Sequence, residues 1–144
     1  MKIYKTEDEI LSLVMSFEDA TISRDAWKHH EHLVVALYYV SRHDLPTAFE
    51  KMRSGILNLL SKGFGVDLVK EMPYHETMTL FWMRTMDEFN RSKNGATMVE
   101  KAREAGEKFD KNYPLRFYSR EVLFSDEARS RFVPGDLISA EQSA

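Results

Sequence analysis

The chain has no cysteine. This excludes a disulfide framework, thiolate metal sites, iron–sulfur clusters and a cysteine nucleophile, and it fits a reducing compartment. Glycine and proline are sparse, at 6 and 4 in 144 residues, which argues against disorder, collagen-like repeats and many-turned β folds. Positive charge is not in excess. The 20 Lys and Arg face 23 Asp and Glu, for a formal charge of −3, so the electrostatic footprint of a general nucleic-acid binder is missing. No stretch approaches the ~20 apolar residues of a membrane helix. The opening run Met1-Lys2-Ile3-Tyr4-Lys5-Thr6-Glu7-Asp8 carries no apolar signal region. Nucleic acid and membrane are therefore not expected partners.

What is present reads as one helical domain, a length-appropriate unit. Ile10, Leu11, Val14, Met15 and Phe17 recur at spacings of three and four, behind a Thr6…Glu9 capping-box pattern. A second helix is expected from Arg24 to Ser41 after Ser23, with Ala26, Leu33, Ala36, Leu37 and Val40 inward. A third starts at Pro46, a favoured first helical position, and ends at Gly63-Phe64-Gly65. Residues 65–72 read as a loop, with a short extended piece at Val66–Val69. Pro73 opens a fourth helix to Asn90, and a fifth runs from Ala96 to Phe109. The expected fold is all-α: a compact bundle of about five helices across 1–144. An irregular C-terminal segment, 114–144, packs on it, with a capped short helix at Ser125-Asp126-Glu127-Ala128, and Ser139 to Ala144 fray.

Five histidines remain to be explained, and three of them fall in Trp27-Lys28-His29-His30-Glu31-His32-Leu33. Helical residues three apart share a face, so His29 and His32 can hold one ion. His29 lies within the apolar stripe, His30 on the other flank, and Lys28 and Glu31 towards solvent. In Pro73-Tyr74-His75-Glu76-Thr77, His75 aligns with Met78, Trp82, Met86 and Phe89. Bundle metal sites are built from such inward side chains on facing helices. Three imidazoles with an open position would accept zinc, iron, copper, nickel or manganese, with Glu76 as fourth ligand or acid/base and hydrolysis by metal-bound water as the default chemistry.

The same residues have plainer roles. Core histidines commonly hydrogen-bond within the fold. A first-turn Glu76 complements the helix dipole, Glu18 can simply be solvated, and His43 suits a helix C-terminus. Arg116 and Arg120 are interleaved with aromatics in Tyr113-Pro114-Leu115-Arg116-Phe117-Tyr118-Ser119-Arg120. They can grip a substrate carboxylate or phosphate, or pair with acidic helix faces, the commoner use. The mixed charges from Lys93 to Lys111 read as a solvated face. Leu80, Phe81 and Met83 lie off the His75 stripe, so the fourth helix is either central or at a homodimer interface.

Taken together, Trp27-x-His29-x-x-His32-Leu33, Tyr74-His75-Glu76-Thr77-x-Thr79, Tyr118-Ser119-Arg120 and Leu123-Phe124-Ser125-x-x-Ala128-Arg129 resemble the pattern of a family of small uncharacterised bacterial proteins. The resemblance implies a cytoplasmic bacterial protein and carries no activity. It sets His29 and His32 above His30, and it adds Tyr74, Glu76, Thr79, Tyr118 and Arg120 to one shared polar site with His75.

Two expectations result. One is a metal-dependent hydrolase or oxidoreductase acting on a small molecule, with His29, His32 and His75 as ligands and Glu76, Tyr118 and Arg120 as reacting or substrate-contacting residues. The other is a non-enzymatic helical binding module with a buried histidine hydrogen-bond network, or a homodimeric interaction protein.

Overall fold

Residues 1–137 are described in the computed structural model, and among them seven helices form and no strand does. Helix α1 spans Glu7–Glu18. Its start is closed by the expected capping box: Thr6 accepts from the Glu9 amide, and Glu9 accepts from the Thr6 amide. Helix α2, His29–Arg42, lies deepest, with Leu33 to Leu37 all buried. Helix α3, Leu45–Asn58, is capped by Asp44 and runs into one π-helical turn, Leu59–Gly63. Helix α4, Glu76–Ser92, is the longest, and α5, Met98–Lys108, has a second capping box from Thr97 and Glu100. A 3₁₀ turn, Tyr113–Arg116, and two short helices follow, α6 at Arg120–Leu123 and α7 at Asp126–Ser130.

Helix α2 packs most extensively on α4 and also touches α1, α3 and α5. Phe17, Leu33, Leu37, Met52, Met83 and Met86 fill the space between them. A second, smaller cluster is made by Tyr118, Leu123, Ala128 and Val133. Met78 and Phe81 of α4 pack against both clusters, so α4 is the shared wall. It also contacts α3, α5 and α7. This explains its broad apolar surface: Met83 is fully buried, and Leu80 and Phe81 are half-buried within the chain.

Several sequence expectations change. Ser23 does cap a turn, accepting from the Ala26 amide, but that turn is single and Lys28 is extended. The second helix therefore starts at His29 rather than Arg24. The fourth starts at Glu76 rather than Pro73, because His75 is its cap. Asp67 accepts backbone and side-chain bonds from residues 69–71, so the piece at Val66–Val69 is turned rather than extended. The C-terminal segment holds two short helices: α7, which Ser125 caps as expected, and α6, where irregular chain was expected. The expectation for Ser139 to Ala144 lies outside the described residues.

Candidate functional site: a histidine frame beside an aromatic cleft

Three of the histidines, His29, His30 and His75, each tie two elements together. His29 directs Nε2 at the Phe109 carbonyl, 2.9 Å away, with its ring 5.0 Å from that of Trp82 in an edge contact. His30 directs Nε2 at the Ala102 carbonyl, also at 2.9 Å, and is 7% exposed. The first turn of α2 is thus fastened to α5 and to the residue that ends it. His30 was expected on a peripheral flank and Glu31 in solvent. Both are buried, because the N-terminal arm lays Tyr4 across them: Tyr4 donates to Glu31 at 2.7 Å, and its ring sits 5.8 Å from that of His30.

His75 is the N-cap of α4. Its Nδ1 accepts from the Met78 amide at 3.0 Å, and its Nε2 lies 2.6 Å from the Leu123 carbonyl. A carbonyl only accepts, so a ring nitrogen facing one carries the proton and has no lone pair for a cation. That applies to Nε2 of His29, His30 and His75, and in His75 the other nitrogen is engaged as well. His32 is different. Its ring stacks on Trp27 at 5.8 Å, and its Nε2 is sealed from solvent without a partner. Burial, followed by the nearby His29, lowers its pKa to about 4. Among the described residues, no three His, Asp or Glu side chains come together in a way that could hold a metal ion. His29 and His75 bond to carbonyls in different segments, Phe109 and Leu123.

Glu76 is held by neighbours. Arg53 grips it through two nitrogens, at 2.8 and 3.2 Å, and Tyr74 donates to it at 2.7 Å. Glu18 accepts from Tyr39 at 2.8 Å. Tyr118, 3% exposed, donates to the Val133 carbonyl at 2.6 Å. Arg120 is the exposed first residue of α6. Neither it nor Arg116 forms an ion pair among the described residues.

Beside this frame, a cleft of about 570 Å³ opens between the outer face of α4, the end of α5 and the C-terminal segment. Its floor is aromatic, from Phe81, Phe109, Tyr113, Phe117 and Phe132. Phe81 sits at the centre, 5.6 Å from Phe117 and 6.0 Å from Tyr113 in tilted contacts. The rim carries Arg84, Lys108 and Arg116, with Glu88 the single carboxylate among the described lining residues. Each cation lies over a ring: Arg84 over Phe132 at 4.6 Å, Lys108 over Phe109 at 5.3 Å, and Arg116 over Tyr113 at 5.2 Å. Burial raises the pKa of Tyr118, and the Arg84 charge offsets part of that rise. A second cleft of about 620 Å³ lies between the N-terminal arm, α1 and residues 22–28, where Asp8, Glu9, Asp25 and Glu31 outnumber Lys2 and Lys28.

Sequence reasoning singled out Tyr118 and Arg116 for this region but missed Arg84, Lys108 and Phe132. Arg84 follows Phe81 by three residues and so shares its face, a signal that was legible. Lys108 was hidden in an ordinary mixed-charge run, and nothing local marks Phe132. No protein-family model, no curated protein and no solved structure matches the chain.

Proposed function

We propose that this protein is a non-catalytic helical binding module that takes a small organic ligand in the cleft between α4, α5 and the C-terminal segment. The cleft itself carries the reading. Its volume of about 570 Å³ lies in the ~300–1,000 Å³ range of small-molecule sites, which are concave, apolar at the base and fitted with a few polar groups. The histidines support it as struts. His29, His30 and His75 spend ring protons on backbone carbonyls, which satisfies buried acceptors and fixes α4 and α5, two of the cleft walls.

Protein-observed NMR with a library of uncharged and charged fragments tests this. Binders should shift resonances of α4, residues 108–118 and residues 132–135, and Thr85→Trp, which fills the cleft, should abolish those shifts. Fragments that bind elsewhere, or none that bind, would overturn the reading. Elemental analysis of protein purified without an affinity tag is the companion measurement. A stoichiometric transition metal would replace the strut reading with one in which His29, His32 and His75 rearrange around an ion.

A further inference from the structure

We infer that the ligand is an aromatic anion: a planar ring system that carries a carboxylate or phosphate. This rests on the binding-module reading and specifies the occupant of the same cleft.

Two features of the cleft point to it. The first is the imbalance of charge. Arg84, Lys108 and Arg116 line the rim against Glu88 alone, and none of the three cations forms an ion pair among the described residues. The chain as a whole is acidic, at −3, so a local positive rim is not a reflection of composition. Asp136 stands near Tyr118 and keeps its charge while accepting from the Ser119 amide at 2.7 Å, but it does not line the cleft. Unpaired cations around a concave apolar surface focus potential into it and favour an anionic occupant.

The second feature is how those cations are held. Each lies over an aromatic ring, at 4.6 to 5.3 Å. A guanidinium stacked on a ring is oriented by it while its N–H edges stay available for a bidentate bond to a carboxylate or phosphate. The rim is therefore preorganised at little further cost in side-chain entropy. Inside the rim, the floor offers ring faces and edges from Phe81, Phe109 and Phe117, which favours offset or edge contacts with another flat ring over an aliphatic chain. Thr85 and Ser92 both donate their hydroxyl hydrogens to backbone carbonyls of α4. They present lone pairs rather than donors to the cleft, so the anion is left to the three cations at its edge.

Titration calorimetry and NMR with matched probes decide the matter. 2-Naphthyl phosphate and 2-naphthoate are compared with neutral 2-naphthalenemethanol, with 2-naphthylmethylammonium and with inorganic phosphate. The two aromatic anions should bind roughly tenfold or more tightly than the neutral probe, and their affinity should fall with added salt. Arg84→Gln and Arg116→Gln, both at exposed positions, should each weaken the anions several-fold more than they weaken the neutral probe. Unaltered thermal midpoints would confirm that these variants fold. A neutral or cationic probe that binds the cleft as tightly as the anions overturns the inference and leaves the binding-module reading standing. So does inorganic phosphate binding as tightly as naphthyl phosphate, since the ring would then contribute nothing. If no probe binds while the fragment screen returns cleft binders, the anion inference fails alone. If neither finds a binder, both fail.

Discussion

A carboxylate at the first position of a helix gains from the dipole, and Glu76 gains from two neighbours besides. Its side chain is 18% exposed, and Arg53, at 34%, reaches it through Nε and Nη2, one edge of the guanidinium. Glu76 holds the Arg53 pKa above its usual value, as a strong pair should. Solvent still screens the pair, which moderates its worth. In a double-mutant cycle of Arg53→Met and Glu76→Gln, read by urea denaturation, a coupling of about 1–2 kcal/mol is expected. Strict additivity would show that the contact contributes nothing. His75 shows where residue-level reading stops. Its place on the apolar stripe was legible, but its work is done by ring nitrogens aimed along the chain, at Met78 and across to Leu123. Spacing gives the side of a helix on which a residue sits and says nothing about which atom finds a partner.

At the scale of elements, two glycines are set by tight packing rather than by backbone conformation. A Cβ on Gly55 of α3 would run into the ring of Phe17, which is wholly buried, and one on Gly106 of α5 would meet the His30 ring at 2.7 Å. Alanine is the better helix former by about 1 kcal/mol, but overpacking a filled site costs about 1–3 kcal/mol. Gly55→Ala should therefore lower stability despite its helix propensity, and thermal denaturation checks the sign. A raised midpoint would mean that Phe17 has room to move. The five long helices were visible in the sequence because each carries its own apolar period and most carry their own caps. The start of α2 was not. Ser23 has capping chemistry and Ala26 fits the stripe, yet the turn they begin is not continued past Trp27. Trp27 instead stacks on Phe17, with ring centroids 4.8 Å apart, a tertiary contact that no local pattern announces. The cleft was illegible for the same reason. Its walls come from α4, α5 and residues 132–135, and only folding brings them together.

At the scale of the whole molecule, stability should depend on pH through the histidines. Burial lowers the pKa of His32 from 6.5 to about 4, and burial also lowers that of His75. Both rings are therefore neutral in the fold where the unfolded chain would begin to take up protons. Their contribution is complete above pH 6.5 and is lost as pH falls from there towards 4. For His32 the loss is on the order of 2–3 kcal/mol. Urea midpoints taken on both sides of that window should fall less for His32→Phe, which keeps the stack on Trp27, than for the native chain. Equal falls would remove His32 as the cause. The small cluster around Tyr118 and Val133 carries a different consequence. It is joined to α4 by few bonds: Thr77 to Arg131 at 2.9 Å, Val133 to Thr77 at 3.0 Å, and His75 to Leu123 at 2.6 Å. It also forms one wall of the cleft. A segment so attached can open by itself, at less cost than global unfolding. Any occupant of the cleft binds only the closed form, so by linkage it must suppress that opening. Amide hydrogen exchange in residues 117–133 becomes a gauge of cleft occupancy, readable without a label, an assay or knowledge of the ligand's name.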